Sequence, residues 1–559
     1  MNTVHITCCI AAILLLTTSD NTIHGKNQTP DLVIIIVVDQ LSYNALQKYQ
    51  KYFKYGLRTL VSRGINYTNA HQPHATPETA TGHATLSTGT YPKDHGIIAN
   101  KWLNTAGNIV HASEDSKDTA AVLSPTGTYD FGVSSRSLMV DTLSDQWCLQ
   151  STVLSPRFAY ALSLKDRAAV QMAGKLGKAL WFDNKTGIIT SSKAYFEQLP
   201  TWVTTFNTEQ ALSTQHSVAW PLARSEKSGA YQYVRTQLPD STNIQKHMAG
   251  TTIPIDWHAH PENPLQLFTK TPCAQKLILQ LAHSCVKEHM TCNSNQKLLL
   301  WISLSPLDKA GHTFGPDSLE TIDMLLHLDK QLKSFMKNIR RIVSQKKILF
   351  VLTADHGVSP MPETVAAAGI PARRYNSRDL VKDINTHIFN TLNARSIIRT
   401  YRTPYFYLDS SVFNSFNDTK QQQIINQIKS FLHKKEGVKQ VWTYSELEKQ
   451  TLEPHTIEDN FKQQLYSGRS GQLIIQMSPY YEITDYETGA DHSSPYNYNT
   501  HVPLILYHHG SLELKTIQQP VYTTQLASTL AYIMQIPTPS ASTAAPLPGV
   551  GELPRDILF

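Results

Sequence analysis

The chain has no run of lysine or arginine, no apolar stretch of bilayer-spanning length, no internal repeat and no coiled-coil heptad. Each absence removes a class of protein. Charged residues are only 17% of the 559, and the formal net charge of +6 is spread thinly, so neither nucleic acid nor an anionic membrane is indicated as a partner. The uninterrupted apolar run from Cys8 to Leu16 is shorter than the ~20 residues a helix needs to span a bilayer. Followed by the mostly polar stretch Thr17 to Gln28, it reads as the apolar centre of a secretory signal peptide, about residues 1–25, although no lysine or arginine precedes it. The mature chain is then expected to be periplasmic or secreted, with no membrane span. Cysteine is also scarce. Once Cys8 and Cys9 leave with the leader, Cys148, Cys273, Cys285 and Cys292 remain, and four cysteines allow three pairings. Cys273 and Cys285 on one helix would stand ~18 Å apart at 1.5 Å per residue, beyond the ~7 Å limit for a bridge. Cys285 with Cys292 is the better pair, and buried free thiols are an equal alternative.

What is present is a hydrophobic fraction of 41%, enough for a large core. Leu32 to Val38 is solid isoleucine, valine and leucine ending in Asp39, the form of a strand covered on both faces. Leu298 to Ser303 and Ile348 to Thr353 have the same form, and Leu473 to Met477 and Val502 to Tyr507 read as further strands. Helical spacing alternates with them, clearest in Ile322, Leu325, Leu326, Leu332, Phe335, Met336 and Ile339. These patterns predict an α/β layered sandwich around a mostly parallel central sheet, spanning about residues 30–535. Stretches at about 170–270 and 375–470 lack clean strand patterns and read as inserted segments capping the site. The tail at 536–559, rich in proline, alanine and serine, reads as extended surface chain.

Carboxylates and imidazoles recur just beyond the strand-like runs: Asp39, then Asp308 and His312, then Asp355 and His356, with His492 last. In open α/β sheets, ligands bind beyond the carboxyl ends of strands, which points to one shared site. Alone, Asp39 reads as a turn former and His312 or His492 as a hydrogen-bonded structural histidine. Recurrence at successive strand ends favours ligands instead. Three aspartates and three histidines are the protein ligands of about two metals, and mixed nitrogen and oxygen donors suit zinc. A helix four residues per side-by-side pair brings Asp308 over His312, and Gly357 is expected to take a sharp turn after Asp355 and His356. The segment Thr79-Ala-Thr-Gly-His83 offers a hydroxyl at a predicted helix start, where backbone amides favour an anion. Thr76, Thr81, Thr85 and Ser87 compete with Thr79 on composition alone.

Thr79-x-x-Gly-His83, Thr88-Gly-Thr-Tyr-Pro, His95-Gly-Ile-Ile-Ala-Asn100, Asp308-x-x-x-His312-x-Phe-Gly-Pro, Asp355-His-Gly, Gly489-x-x-His492 and Thr500-His-Val-Pro occur in that order. Together they resemble the alkaline phosphatase superfamily, in the branch joining nucleotide pyrophosphatase/phosphodiesterases to PafA-type bacterial alkaline phosphatases. The resemblance implies two zinc ions, one held by Asp308, His312 and His492, the other by Asp39, Asp355 and His356 with the nucleophile Thr79 bound to it. It implies structural or supporting roles for His83, His95 and His501. Ser163-Leu-Lys165-Asp-Arg167 is similar to the segment by which PafA-type monoesterases contact phosphate oxygens through lysine and arginine, and Asn100 matches a third such contact. Outside that resemblance, Lys165 and Arg167 would read as a solvated charged strand. The implied activity is hydrolysis of small phosphate monoesters through a phosphothreonine, with a phosphodiesterase on the same scaffold as the alternative and a catalytically inactive metal-stabilised binding protein as a further one. One departure is Asp491, where a threonine or serine often precedes the histidine.

Overall fold

The computed structural model describes residues 29–125, 129–210, 217–232, 249, 252–254, 264–290, 295–509, 512 and 514–550. The expected leader and Cys292 lie outside the described residues.

Among the described residues, ten strands form one large sheet. At its centre is β1 (Leu32–Val38), buried along its whole length. Alternate residues of a strand face opposite sides. Leu32, Ile34, Ile36 and Val38 accordingly join one apolar cluster, and Val33, Ile35 and Val37 the other. Burial on both sides is why this run carries no polar alternation. The strand order is β9 (Lys515–Ile517), β2 (Ile65–His71), β8 (His501–His508), β7 (Ile348–Thr353), β1, β6 (Lys297–Leu304), β3 (Arg157–Ser163), β4 (Lys178–Phe182) and β5 (Ile189–Thr190). A tenth strand, β10 (Val521–Tyr522), pairs with β2. From β7 through β1, β6 and β3 to β4 all neighbours are parallel, whereas β8 is antiparallel to both β7 and β2. The predicted α/β sandwich with a mostly parallel sheet is thus the observed architecture.

Helices cover both faces. α3 (Pro272–His289) and α5 (Leu319–Ile342) contribute to one apolar layer, and α2 (Asp166–Ala173) and α6 (Gln525–Met534) to the other. All seven α5 residues singled out by spacing are buried. α1 (Thr79–Thr88) follows β2 and α4 (Pro306–Phe314) follows β6, so both start at the carboxyl edge of the sheet. Among the described residues no helix is long and apolar enough to cross a membrane. Cys273 and Cys285 do share α3, and Cys285 is a buried free thiol.

The expected insertions differ in the structure. The first begins later than residue 170, because β4 is a parallel strand of the central sheet. The second carries a sheet of its own, in the order Ile398–Arg402, Tyr405–Leu408, Leu473–Met477, Val438–Thr443, antiparallel throughout. Helices Ser377–Leu392 and Asp418–His433 supply apolar residues to the same cluster as this sheet. Leu473 to Met477 therefore belongs to the smaller sheet. A further cluster joins Ala80 and Ala84 of α1 to Trp102, Tyr405, Trp442 and Phe461, tying the small sheet to that helix. The tail forms no helix or strand up to residue 550, yet Leu547 and Val550 are each only 1% exposed within the core rather than on the surface.

Asp329 of α5 fixes a long-range junction. Fully buried, it accepts backbone N–H groups of Lys54 at 2.8 Å, Tyr55 at 3.0 Å and Leu57 at 2.9 Å, at the start of helix Gly56–Arg63. A buried carboxylate serving orphan helix donors is costly to lose. Asp329→Ala should lower unfolding stability by about 3 kcal/mol, read as a shift in urea midpoint; a loss under about 1 kcal/mol would mean that water replaces the carboxylate.

Candidate active site

Each strand run ends on a side chain directed to one place. Asp39 follows β1, Asp308 and His312 lie on α4 beyond β6, and Asp355 and His356 follow β7. On α4 the i,i+4 spacing sets His312 Nε2 at 3.1 Å from Asp308 Oδ1. His492 reaches the same point from the loop before β8, its Nε2 at 3.1 Å from His312 Nε2 and 3.5 Å from Asp308 Oδ1. These three side chains form one donor set. In the other, His356 Nε2 lies 3.4 Å from both Asp39 Oδ1 and Asp355 Oδ2.

Two observations show that both sets fit a metal. Asp39 Oδ1, Asp355 Oδ2 and His356 Nε2 are all buried without a hydrogen-bond partner, although they face one another. Buried polar atoms are ordinarily satisfied, and a shared cation would satisfy these three. The imidazoles are also oriented as ligands. Nδ1 of His356, His312 and His492 contacts the carbonyls of Gly357, Ala490 and Pro77 at 2.9, 2.7 and 3.0 Å. A carbonyl only accepts, so each Nδ1 carries the proton and each Nε2 presents its lone pair. A donor set of imidazole nitrogens and carboxylate oxygens suits zinc. Asp491 joins His312 and His492 in a further grouping, adding a carboxylate that the expected ligand set did not contain, and His356 also stands within ligand distance of Asp308 and His492, so the two expected sets adjoin.

The hydroxyl sits between. Thr79 opens α1 and is 1% exposed. Lys165, just before α2, donates from Nζ to Thr79 Oγ1 at 3.2 Å, to Asp39 Oδ2 at 2.6 Å and to Asp308 Oδ2 at 2.5 Å. One ammonium thus links the hydroxyl to both donor sets. Burial by itself would lower the Lys165 pKa, but the carboxylates of Asp308 and Asp39 outweigh it and raise it. Burial also pushes Asp39 upward, reinforced by Asp308 and Asp355, whereas Asp308 is held well below the usual range because Lys165 and His312 outweigh its burial. Burial depresses His356 and His492 to about 4, while at His312 the neighbouring Asp308 overcomes burial and raises it to about 9, so that ring releases its Nε2 proton when it takes up a cation.

Asn100 and Arg167 flank this centre. Asn100 Oδ1 accepts the N–H of Ala80 at 2.9 Å, which leaves its amide nitrogen as the group available to a ligand beside Thr79. Arg167, in the first turn of α2, lines a cavity together with Lys165, and its Nε is buried without a partner. His83 supports the site: its Nδ1 lies 2.7 Å from the Thr79 carbonyl and 3.3 Å from Asp355 Oδ2, and its Nε2 lies 2.9 Å from Ser303 Oγ. His95 instead pairs with Thr85 and Ile97, and His501 with the Thr68 carbonyl.

Three contributors are absent from the reading of the sequence. Gln40, 3% exposed and in the left-handed region at φ 71, donates its backbone N–H to Asp355 Oδ1 at 3.3 Å and its Nε2 to Asp308 Oδ1 at 3.0 Å. Glu78 immediately precedes α1 and, without capping the helix through its side chain, accepts the Asn100 N–H at 2.6 Å; burial pushes its carboxyl up to about 7. Lys309 shares the cavity wall with Lys165 and Arg167. Adjacency to Asp39, Thr79 and Asp308 was the only available signal for them. At Gly357 a Cβ would lie 2.2 Å from the Tyr498 carbonyl oxygen, so close backbone approach requires the glycine.

Two donor sets of carboxylate and imidazole around a buried hydroxyl, on the carboxyl edge of a mostly parallel sheet, define a metal-binding hydrolytic centre. The chain belongs to the family described as type I phosphodiesterase / nucleotide pyrophosphatase, which matches residues 33–503. It is 27% identical to alkaline phosphatase PafA of Elizabethkingia meningoseptica over 93% of this chain and 94% of that one. It is 26% identical to alkaline phosphatase PhoV of Synechococcus elongatus, over 95% of this chain and 93% of that one. The crystal structure of wild-type PafA superposes with a TM-score of 0.79 at 26% identity, covering 93% of this chain and 98% of that one. The protein is a hydrolase of phosphate esters.

Close packing behind the site makes a test. A Cβ on Gly82 would fall 2.2 Å from the Asp355 carbonyl oxygen and 2.8 Å from Asp355 Cβ. Gly82→Ala should displace Asp355 and weaken metal retention by about tenfold to a hundredfold in a chelator competition. Retention equal to that of the parent protein would show that the Asp355 loop gives way freely.

Proposed function

We propose that the protein is a zinc-dependent alkaline phosphatase that hydrolyses small phosphate monoesters through a phosphothreonine at Thr79. The observation that carries this reading is the contact of the Lys165 ammonium with Thr79 Oγ1, with the Arg167 guanidinium two residues on. A monoester dianion carries one more charged oxygen than a diester, so added cations beside the nucleophile reward it selectively.

Asp39, Asp355 and His356, with Thr79, would hold one zinc ion, and Asp308, His312 and His492 the other. Bound there, the two ions supply Lewis acidity, lowering the pKa of a coordinated hydroxyl and offsetting charge that develops on the departing oxygen. The chain's own groups do the rest. Thr79 Oγ1, its proton given up to solvent, forms a bond to phosphorus as the ester oxygen departs in line with the bonding pair and takes up a proton as the product alcohol. Lys165, Arg167 and the Asn100 amide nitrogen hold the transferring oxygens, donors already positioned where charge spreads. Gln40 and His83 keep Asp308 and Asp355 in place. Water then cleaves the phosphothreonine, releasing inorganic phosphate and restoring the hydroxyl. The apolar run from Cys8 to Leu16 supports a periplasmic or secreted location.

A phosphodiesterase on the same scaffold is the competing reading, since the family description includes that activity. Thr79→Ala should reduce monoester turnover by about 10,000-fold or more while metal content stays near that of the parent; retained activity would remove Thr79 as nucleophile. Replacing Lys165 and Arg167 together by alanine should lower kcat/KM for an aryl phosphate by about 1,000-fold, and for its methyl diester by no more than about tenfold. Equal losses on both esters would favour the diesterase.

A further inference from the structure

The edge of the central sheet opposite the site carries a surface that the phosphoryl chemistry does not use. Strands β1, β6, β3, β4 and β7 all start there, and so do β2 and β9 on the far side of the antiparallel β8. The segments leading into these strands line one rim, roughly 23 Å from the metal-binding carboxylates along β1. Among the described residues, the four most exposed large apolar side chains all stand on it: Leu149 at 61%, Val153 at 96% and Leu154 at 84% before β3, and Leu514 at 60% before β9. Surface aliphatics scattered singly are ordinary, whereas concentration on one edge is not. The backbone does not require them. Thr152 and Ser155 exchange backbone hydrogen bonds at 3.3 and 3.2 Å, which makes Val153 and Leu154 the central pair of a tight turn, where glycine, asparagine and aspartate are favoured.

The two apolar points are separated by the width of β2, β8, β7, β1 and β6, roughly 29 Å at the usual strand spacing. The rim there is cationic. Arg63 ends the helix leading into β2, Lys346 and Lys347 precede β7, Lys297 opens β6, and Lys515 opens β9. Facing them among the described residues are Asp31, 2.6 Å from Lys347 and 3.9 Å from Lys297, and Glu288 in the last turn of α3 beside Lys287. Cations therefore outnumber carboxylates. They come from segments remote in sequence and are gathered only by the sheet, so no basic run announces them. The described chain also begins here, with Thr29 Oγ1 3.4 Å from Lys297 Nζ, and the apolar run Cys8 to Leu16 connects to the fold on this rim.

We propose that this rim docks on a lipid bilayer containing anionic lipid, with Val153 and Leu154 at one end and Leu514 at the other entering the acyl boundary, and the cations between them meeting headgroup phosphates. A stable protein interface buries roughly 800 Å2 per partner around a continuous apolar centre. Here the apolar points are divided by charge, and a fluid bilayer accepts each of them singly. Docked in this way, the carboxyl edge with its metal-binding side chains faces water and soluble esters.

The test is partition of the full chain onto phosphatidylcholine vesicles with and without phosphatidylglycerol, read by sedimentation. The N-terminal apolar run is common to every variant, so ratios to the parent isolate the rim. Binding should be about tenfold stronger with phosphatidylglycerol and should weaken with salt. Val153→Ser with Leu154→Ser should lower partition by about tenfold. Arg63→Gln with Lys346→Gln should lower it by about tenfold on the anionic vesicles alone, and both double variants should keep the urea midpoint of the parent. Unchanged partition in either double variant, or equal binding to the two vesicles, overturns the proposal. So does a parent that binds neither vesicle; if that parent instead forms a dimer that Val153→Ser with Leu154→Ser dissociates, the rim is a self-association surface.

Discussion

The structure depends on neutralising three carboxylates held together out of water. Asp39 and Asp355 are fully buried and Asp308 nearly so, and like charges at such spacing repel strongly in a poorly polarisable surrounding. The chain meets this with the Lys165 ammonium, which touches two of them, with imidazoles, and with buried unpartnered atoms that a further cation would satisfy. Helix starts, glycines and supporting residues are placed to serve that convergence. His83 braces Asp355 against the Thr79 carbonyl, and Gln40 reaches one carboxylate of each donor set from a strained backbone.

This reading makes metal affinity and phosphate recognition two sides of one charge balance. Lys165 contacts the hydroxyl as well as the metal-facing carboxylates. A group that contributes to holding phosphate oxygens therefore also sets the electrostatics of the ligand sets. The absence of a hydrogen-bond partner on Arg167 Nε has the opposite sense, since that group has charge in reserve for a ligand. Asn100 commits its amide oxygen to the helix start, which keeps the nitrogen free of that contact.

The central sheet was legible because β1, β6 and β7 are covered on both faces, and continuous apolar runs admit few alternatives. Their polar termini were legible for the same reason, as aspartates and histidines stand out after unbroken apolar runs. The small sheet around Tyr405 was not. Its strands have only four to six residues, and the sheet is completed only when Leu473–Met477 pairs with Tyr405–Leu408 and Val438–Thr443, remote in sequence. Gln40 was hidden because a glutamine after an aspartate carries no pattern; only its φ and its two partners reveal it. The tail misled through composition, as proline and alanine concealed that Leu547 and Val550 fill core space.

Donors drawn from Asp39 at one end and His492 at the other impose an order on biosynthesis. β8, immediately after His492, is hydrogen-bonded to both β7 and β2, so the last donor docks only when almost all of the polypeptide has emerged and the sheet has closed on it. Long-range pairing of this kind forms late and slowly. A nascent or truncated chain holds an incomplete coordination shell, and the finished centre is a record that the whole sheet assembled in register.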